Sequence, residues 1–156
     1  MNSYAAYLLI ESVFLTAGLS ASFAQLGANE VQARARYGPP RILDDRIEPD
    51  ERQIIYRSRG YAIGTCFYRG LVCSISYEHT NKTSLTDTEI ESFLRASAQE
   101  SQWHQDSKDV WTRADRTAMA RIQYRTNSKG IYAAVLHIYS LKRYDPGPWF
   151  TNPTGA

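Results

Sequence analysis

The sequence predicts an α+β fold, in which an antiparallel β-meander with hairpins carries one or two helices packed on one face. Several segments alternate apolar and polar residues with the period of a strand, whereas two others combine helix caps with helical apolar spacing. The chain of 156 residues is 12% aromatic, with 11 Tyr and 3 Trp, and aromatic side chains favour strands. Its length fits a single domain, which we place at residues 25–143.

Residues 1–24 are predicted to be a cleaved signal peptide. Small and apolar residues lead to Ser22-Phe23-Ala24, a small-x-small triplet of the kind that precedes signal-peptidase cleavage. No Lys or Arg precedes the apolar run and Glu11 lies inside it, so a retained amphipathic helix or a misplaced start codon is the alternative. The run has few bulky side chains, so we expect no stable membrane span after cleavage. The predicted location is the bacterial periplasm or the cell exterior.

The domain is predicted to begin with a short helix over residues 29–36. Asn29 and Gln32 have the spacing of a capping box. Gly38 and the two prolines behind it end the helix. Residues 42–52 are charged and rich in turn-forming residues, which predicts a surface loop.

Residues 53–79 predict a three-stranded meander. Gly60 and Gly70 each stand third in a short connection, where a three-residue hairpin loop needs a left-handed residue. Loops of this length set Ile63 opposite Ile75. One face of the meander is then apolar throughout, as expected of a half-buried antiparallel sheet.

The two cysteines lie on opposite faces in this register. A two-residue turn at Arg69-Gly70 would instead set Cys66 directly opposite Cys73. That turn requires Arg69 at a positive φ, which a non-glycine residue resists. A disulfide bond between the two cysteines stays open as the alternative in an oxidising compartment.

The strongest helix signal lies in residues 86–98. Thr86 and Glu89 form a second capping box, and apolar and charged side chains fall on opposite sides of the predicted helix. The apolar side consists of Ile90, Phe93, Leu94 and Ala98. The charged side consists of Asp87, Glu91 and Arg95.

Further strands are predicted behind this helix. Residues 110–112 form a short strand after a polar loop, and residues 118–125 alternate with one largely polar face. Residues 127–130 connect that strand to residues 131–140, which are apolar on both faces and therefore predict a central strand. Residues 144–156 show no period and predict a flexible tail.

One resemblance is carried by a helix end and three strands. They are Tyr37-Gly38-Pro39, Ile54-Ile55-Tyr56, Ile63-Gly64-Thr65-Cys66-Phe67 and Val72-Cys73-Ser74-Ile75-Ser76-Tyr77. Through them residues 28–79 resemble the β-barrel-assembly lipoproteins and the related β-lactamase-inhibitor-protein-like domains, which implies an exported module. The first cysteine is Cys66, so no lipobox follows the apolar run and the resemblance does not extend to a lipid anchor.

A second resemblance covers residues 37–140. It is carried by Tyr56-Arg57-Ser58-x-Gly60-Tyr61, by Glu89-Ile90 followed by Leu94, and by Trp103…Trp111-x-Arg113-x-Asp115…Ala118-x-Ala120. On these residues the chain is similar to uncharacterised small exported bacterial proteins. This resemblance implies export and no particular activity.

Three histidines and one thiol are the candidate catalytic residues, namely His79, His104, His137 and Cys73. None of the histidines belongs to a metal-binding motif, so no metal and no cofactor is predicted. Cys73 would need a nearby base to act as a nucleophile, and free cysteines are more often small core residues. A small enzyme that uses Cys73 or a histidine is the alternative function.

Four arginines are predicted to line the polar face of the second hairpin, namely Arg113, Arg116, Arg121 and Arg125. A basic strand face can bind a phosphate, an anionic glycan or an acidic protein surface. The alternative is a solvated face whose charges pair with Asp109 or Asp115. The formal net charge is only +2, which argues against nucleic-acid binding.

The predicted function is an exported, non-enzymatic interaction module of the bacterial cell envelope. The signal-like N-terminus and the resemblance to exported modules support this prediction. The expected partner is an envelope protein or an anionic glycan, bound through the face or the edge of the sheet.

Overall fold

The structure is a computed structural model that describes residues 25–48, 50–126, 130 and 132–141. Within these residues the chain is mainly β, with two helices, α1 (Glu30–Tyr37) and α2 (Asp87–Ser97). The strands are β1 (Ile42–Glu48), β2 (Glu51–Ser58), β3 (Tyr61–Tyr68), β4 (Leu71–His79), β5 (Trp103–Ser107), β6 (Val110–Arg113), β7 (Ala118–Thr126) and β8 (Tyr132–Ser140). The predicted signal peptide, the predicted tail and residues 127–129 lie outside the described part of the chain.

The described strands form one antiparallel sheet with the order β1-β2-β3-β4-β8-β7-β6-β5. Each half is a four-stranded meander, and the halves join where β8 pairs with β4. The chain passes from the first half to the second through α2. The antiparallel sheet and the two helices that the sequence predicts are therefore present, and β8 is the predicted central strand.

Two segments predicted as loops are edge strands. Residues 42–52 supply β1, in which Ile42 pairs with Ile55 and Asp44 with Gln53. The polar segment after the second helix supplies β5, which pairs with β6. Both strands are rich in charged or polar residues, as solvent-facing edges commonly are. An edge strand needs one ladder partner and little apolar surface, so composition alone does not reveal it.

The predicted three-residue hairpin loops are wrong. The structure has two-residue turns, with Arg59 and Gly60 at φ 51° and 85°, and Arg69 and Gly70 at φ 51° and 79°. Positive φ at both central residues defines the type I′ turn, whose twist matches that of the flanking strands. The gain in strand pairing outweighs the cost of a left-handed arginine, which is about 1–2 kcal/mol.

The shorter turns shift every pairing in the meander. On β4, the partner of Ile63 is Tyr77 instead of the predicted Ile75. On β2, its partner is Tyr56. The apolar face survives this shift, because the tyrosines at these positions are completely buried. The predicted amphipathic meander is thus present in a different register.

We expect Arg69→Asn to raise the free energy of unfolding by up to about 1 kcal/mol, since Asn tolerates the left-handed conformation better than Arg. The exposed ion pair from Arg69 to Asp50 spans 3.7 Å, so losing it costs little. Urea unfolding measures the change. Arg57→Asn, at an exposed strand position, is the matched control and should be neutral or destabilising. A loss of stability at residue 69 would contradict the argument.

Side chains from the sheet and from both helices form one hydrophobic core. The strand residues in it are Ile54, Tyr56, Ile63, Phe67, Val72, Ile75, Tyr77, Ala120, Ile122, Ala134, Leu136 and Ile138. The helices add Ala33, Tyr37, Ile90, Phe93 and Leu94. Aromatic side chains pack against one another at the centre of the core. Phe93 stacks on Tyr77 with ring centroids 4.2 Å apart, and the Tyr37 and Tyr77 hydroxyl oxygens are 3.2 Å apart.

Candidate functional site

A cleft lies beside α2, between this helix and strands β5 to β8; we call it the α2 cleft. Its volume is about 490 Å³, within the range of about 300–1,000 Å³ typical of small-ligand sites. It is lined by Ser84, Leu85, Asp87, Ile90, Glu91, Leu94, Gln105, Lys108, Asp109, Trp111, Ile122, Tyr124 and Ala134.

The inner part of the α2 cleft is apolar. Ile90 and Leu94 are one helical turn apart on α2, so they face the same side. Across the cleft, Trp111 pairs with Ala120 in the sheet, which puts Trp111 on the face that also carries Ile122. Ile90, Leu94 and Ile122 are buried and Trp111 is half-buried. An apolar group that enters the cleft therefore finds a preformed surface.

The rim of the α2 cleft is acidic. Asp87 and Glu91 lie one turn apart on α2, and Asp109 lies on the opposite wall between β5 and β6. The Tyr124 hydroxyl donates to Asp109 Oδ1 over 3.2 Å. Desolvation raises the pKa of Tyr124, and the negative charges of Asp109 and Asp87 raise it further. Carboxylates from both walls therefore influence the same group at the rim, the Tyr124 hydroxyl.

The charge of the lining favours a cation. The lining residues include three carboxylates but a single lysine, Lys108. Tyr124 is 53% exposed, and an aromatic ring beside carboxylates is a good surface for an ammonium or guanidinium group. The arrangement can hold a group that is positively charged at one end and apolar at the other.

A second polar cluster lies on the other side of α2 and centres on Glu89. Its Oε1 accepts from the Tyr61 hydroxyl and lies 2.8 Å from His79 Nε2. Its Oε2 accepts from the Thr86 backbone N–H over 2.8 Å. His79 Nδ1 is 2.6 Å from Thr83 Oγ1. One carboxylate thereby joins β3, the end of β4 and the first turn of α2.

These contacts shift two pKa values. Desolvation is the largest single influence on Glu89 and raises its pKa, but the bonds from Thr86, Tyr61 and His79 together outweigh it and hold the pKa at about 2. Burial and the bond to Glu89 raise the pKa of Tyr61 to about 12. The charged form of Glu89 is therefore the one that the fold stabilises.

No family model matches this chain. No curated protein matches it either. Among solved structures, it is similar to a cysteine-rich secretory protein from Staphylococcus aureus subsp. aureus Mu50, with 8% identity and a TM-score of 0.43. The match covers 75% of this chain and 44% of that one, so the chain spans less than half the length of that structure. A likeness of this size says nothing about function.

The four predicted ligand-binding arginines do not form one surface. Arg121 and Arg125 lie four residues apart on β7 and share the face opposite the core. Arg116 is exposed in the turn before β7, at φ 54°. Arg113 is 5% exposed, and its Nε donates to Asp115 Oδ1 over 3.0 Å. The structure brings together two of the four.

Arg113 stabilises the loop between β6 and β7. Besides Asp115, its guanidinium donates to the Gln99 side chain and to the Thr117 hydroxyl. The bond from Arg113 is the main reason that the pKa of Asp115 falls to about 2. The alternative interpretation expects this pairing with Asp115, but Arg113 is buried and does not belong to a solvated face.

The three histidines lie in separate places. His137 is on β8, opposite Arg121 in the register. Burial lowers its pKa to about 4, and the positive charges of Arg125 and Arg121 add to this effect. His104 is exposed on the edge strand β5. Of the three, His79 is the one with a carboxylate partner in the part of the chain that the structure describes.

The described residues include no metal-binding cluster and no membrane-spanning helix. In the ranges described above, no group of three or more His, Cys, Asp or Glu side chains could hold a metal ion. No described helix is long and apolar enough to cross a bilayer.

The α2 cleft is not among the features predicted from the sequence, although one of its walls has a local sequence signal. Asp87 and Glu91 stand three residues before Ile90 and Leu94, so at helical spacing the two carboxylates border the apolar side instead of lying directly opposite it. The opposite wall depends on the register of β5, β6 and β7. Without that register, the sequence places the two carboxylates only on the charged side of the helix.

Proposed function

We propose that this protein is a non-enzymatic binding module of the bacterial cell envelope, and that its α2 cleft holds an apolar, positively charged segment of a partner protein. In this proposal both helices pack on one face of the sheet, and the cleft is the part of that face beside α2. The observation that carries the proposal is a cleft of about 490 Å³ that has apolar residues at its floor and carboxylates at its rim.

The charge of the rim distinguishes between the two expected partners. An anionic glycan would meet Asp87, Glu91 and Asp109, and this repulsion opposes binding. A lysine or arginine side chain would instead approach the carboxylates of both walls, while its aliphatic stem or an apolar neighbour covers Trp111. Complementary charge of this kind orients a partner and speeds its association. An envelope protein is therefore the favoured partner.

A pair of blocked peptides tests the cleft. One has two arginines between apolar residues, and the other has glutamates in place of the arginines. We expect amide chemical shifts to change around Trp111 and Tyr124 with the basic peptide and not with the acidic one. The double variant Asp87→Lys/Asp109→Lys should weaken binding of the basic peptide about tenfold, which corresponds to about 1.4 kcal/mol.

Glu100→Lys is the matched control, because it reverses an exposed carboxylate outside the cleft. The affinity of Glu100→Lys for the basic peptide should stay within about twofold of the affinity of the unmodified protein at moderate salt. The cleft proposal fails if both peptides bind equally, or if Glu100→Lys weakens binding as much as the double variant does.

The envelope location is tested separately, by the intact mass of the protein in fractionated cells. A product that begins at Gln25 in the exported fraction supports the location. An uncleaved cytosolic product contradicts the envelope location and leaves the cleft proposal intact.

The alternative function, a small enzyme, would gain support if the protein hydrolysed simple esters and if Thr83→Ala abolished that activity. His79 lies between Thr83 and Glu89 and is within hydrogen-bond distance of both.

A further inference from the structure

The two cysteines meet at a β-bulge between β3 and β4. Cys66 pairs with Ser74, but the next residue, Phe67, pairs with Val72, so Cys73 is an extra residue on its strand. In a bulge, two residues of one strand oppose one residue of the other. The Cys73 thiol lies 3.3 Å from the Cys66 carbonyl oxygen and donates to it.

This geometry corrects the prediction that the cysteines lie on opposite faces. The turn at Arg69-Gly70 is the two-residue turn of the alternative register. That register pairs Cys66 with Cys73, but the bulge displaces the pairing by one residue, so Cys66 pairs with Ser74. Both cysteines are free thiols in the structure. The neighbouring Cys73 side chain lowers the pKa of Cys66.

The two thiols differ in exposure and in acidity. Cys66 is half-buried, whereas Cys73 has no exposed surface. The bond to Cys66 and burial both raise the pKa of Cys73. The thiolate is the reactive form of cysteine. Cys66 therefore has the properties of an attacking thiol, and Cys73 those of a second thiol that reacts only with its neighbour.

We propose that Cys66 and Cys73 form a dithiol site that exchanges with low-molecular-weight disulfides, with Cys66 attacking first and Cys73 closing an internal disulfide. In the first step the Cys66 thiolate bonds to one sulfur of R–S–S–R and releases R–S⁻. In the second, Cys73 loses its proton to that thiolate and attacks Cys66 Sγ, which releases the second R–S⁻; this thiolate takes up from water the proton that Cys66 had given up. Two protein thiols become one disulfide, and R–S–S–R is reduced to two R–S–H.

Oxidised glutathione is the probe, and intact mass after acid quenching is the measurement. The native protein should lose two hydrogen atoms and carry no lasting glutathione. Cys73→Ser should accumulate one glutathione on Cys66, because nothing resolves the mixed disulfide. Cys66→Ser should react at least about tenfold more slowly than Cys73→Ser, because its remaining thiol is buried and less acidic.

Each alternative outcome overturns the proposal. Equal rates in the two single variants would remove the assigned order of attack. Stable glutathione on the native protein would show that Cys73 cannot reach Cys66 Sγ. No reaction in the native state, with reaction in urea, would show that Cys66 is inaccessible. Melting temperatures of both variants confirm that they are folded, and none of these outcomes bears on the α2 cleft.

Discussion

Phe93→Ala is expected to lower the free energy of unfolding by about 3–5 kcal/mol. The Phe93 ring is 2% exposed. It stacks on Tyr77 at 4.2 Å with an interplanar angle of 8°, and it meets Tyr61 edge-on at 5.1 Å and 87°. Truncation removes both ring contacts and leaves a cavity between α2 and the sheet. Urea unfolding followed by fluorescence and by circular dichroism measures the loss.

Two further substitutions make this result specific. Phe93→Leu keeps most of the volume and should cost less than Phe93→Ala. Val31→Ala, on α1 at 75% exposure, should change stability by no more than about 0.5 kcal/mol. If Phe93→Ala cost less than about 1 kcal/mol, a value typical of any substitution, the packing of α2 on Tyr77 would not hold the helix in place.

The same substitution links packing to binding. Phe93 lies next to Leu94, which lines the α2 cleft from the same helix. A helix that loses its anchor on Tyr77 also loses the fixed position of Asp87 and Glu91 on the rim. Peptide affinity should therefore fall in Phe93→Ala even under conditions where most of the protein remains folded.

The helices were predictable because the signals that start them are local. Both capping boxes are present as the sequence indicates, one between Asn29 and Gln32 and one between Thr86 and Glu89. Each depends on residues three apart in the chain. The end of α1 at Gly38 is equally local, since a backbone N–H at that residue bonds back to Arg34.

The register of the meander was not predictable in the same way. Arg59 and Arg69 adopt left-handed conformations that a non-glycine residue resists. The preference of non-glycine residues for negative φ therefore argues against the two-residue turns. The stabilisation from pairing whole strands outweighs this local cost, and it is not visible in the turn sequence. The error carried over to the cysteines, whose contact depends on the turn and on the bulge together.

The candidate site shows the same limit. The sequence places Asp87 and Glu91 on a helix, but the wall opposite them is set by three strands whose pairing spans residues 103–126. The alternation along β6 likewise puts Arg113 on the face of Trp111, away from Arg121. Four arginines near one another in sequence thus occupy different surroundings.

Glu89→Ala is expected to lower the free energy of unfolding by about 2–3 kcal/mol. Glu89 is the N3 residue of the capping box, and loss of a capping contact contributes about 1 kcal/mol. Hydrogen bonds to a charged group contribute about 1.5–3 kcal/mol, and Glu89 receives them from Tyr61 and His79. Glu91→Ala, on the same helix and exposed, is the matched control and should be nearly neutral. Equal losses in the two variants would contradict the role of Glu89.

Glu89→Gln separates charge from capping, because glutamine also completes a capping box. The pKa of Glu89 is about 2 in the folded protein and about 4.3 in an unfolded chain. Below the unfolded value the unfolded chain binds more protons, so the stabilisation is complete above about pH 5 and is lost as the pH falls towards 2. The stability advantage of the unmodified protein over Glu89→Gln should therefore shrink across this interval. An advantage that stays constant from pH 5 to pH 2 would mean that the contacts of Glu89 do not depend on its charge.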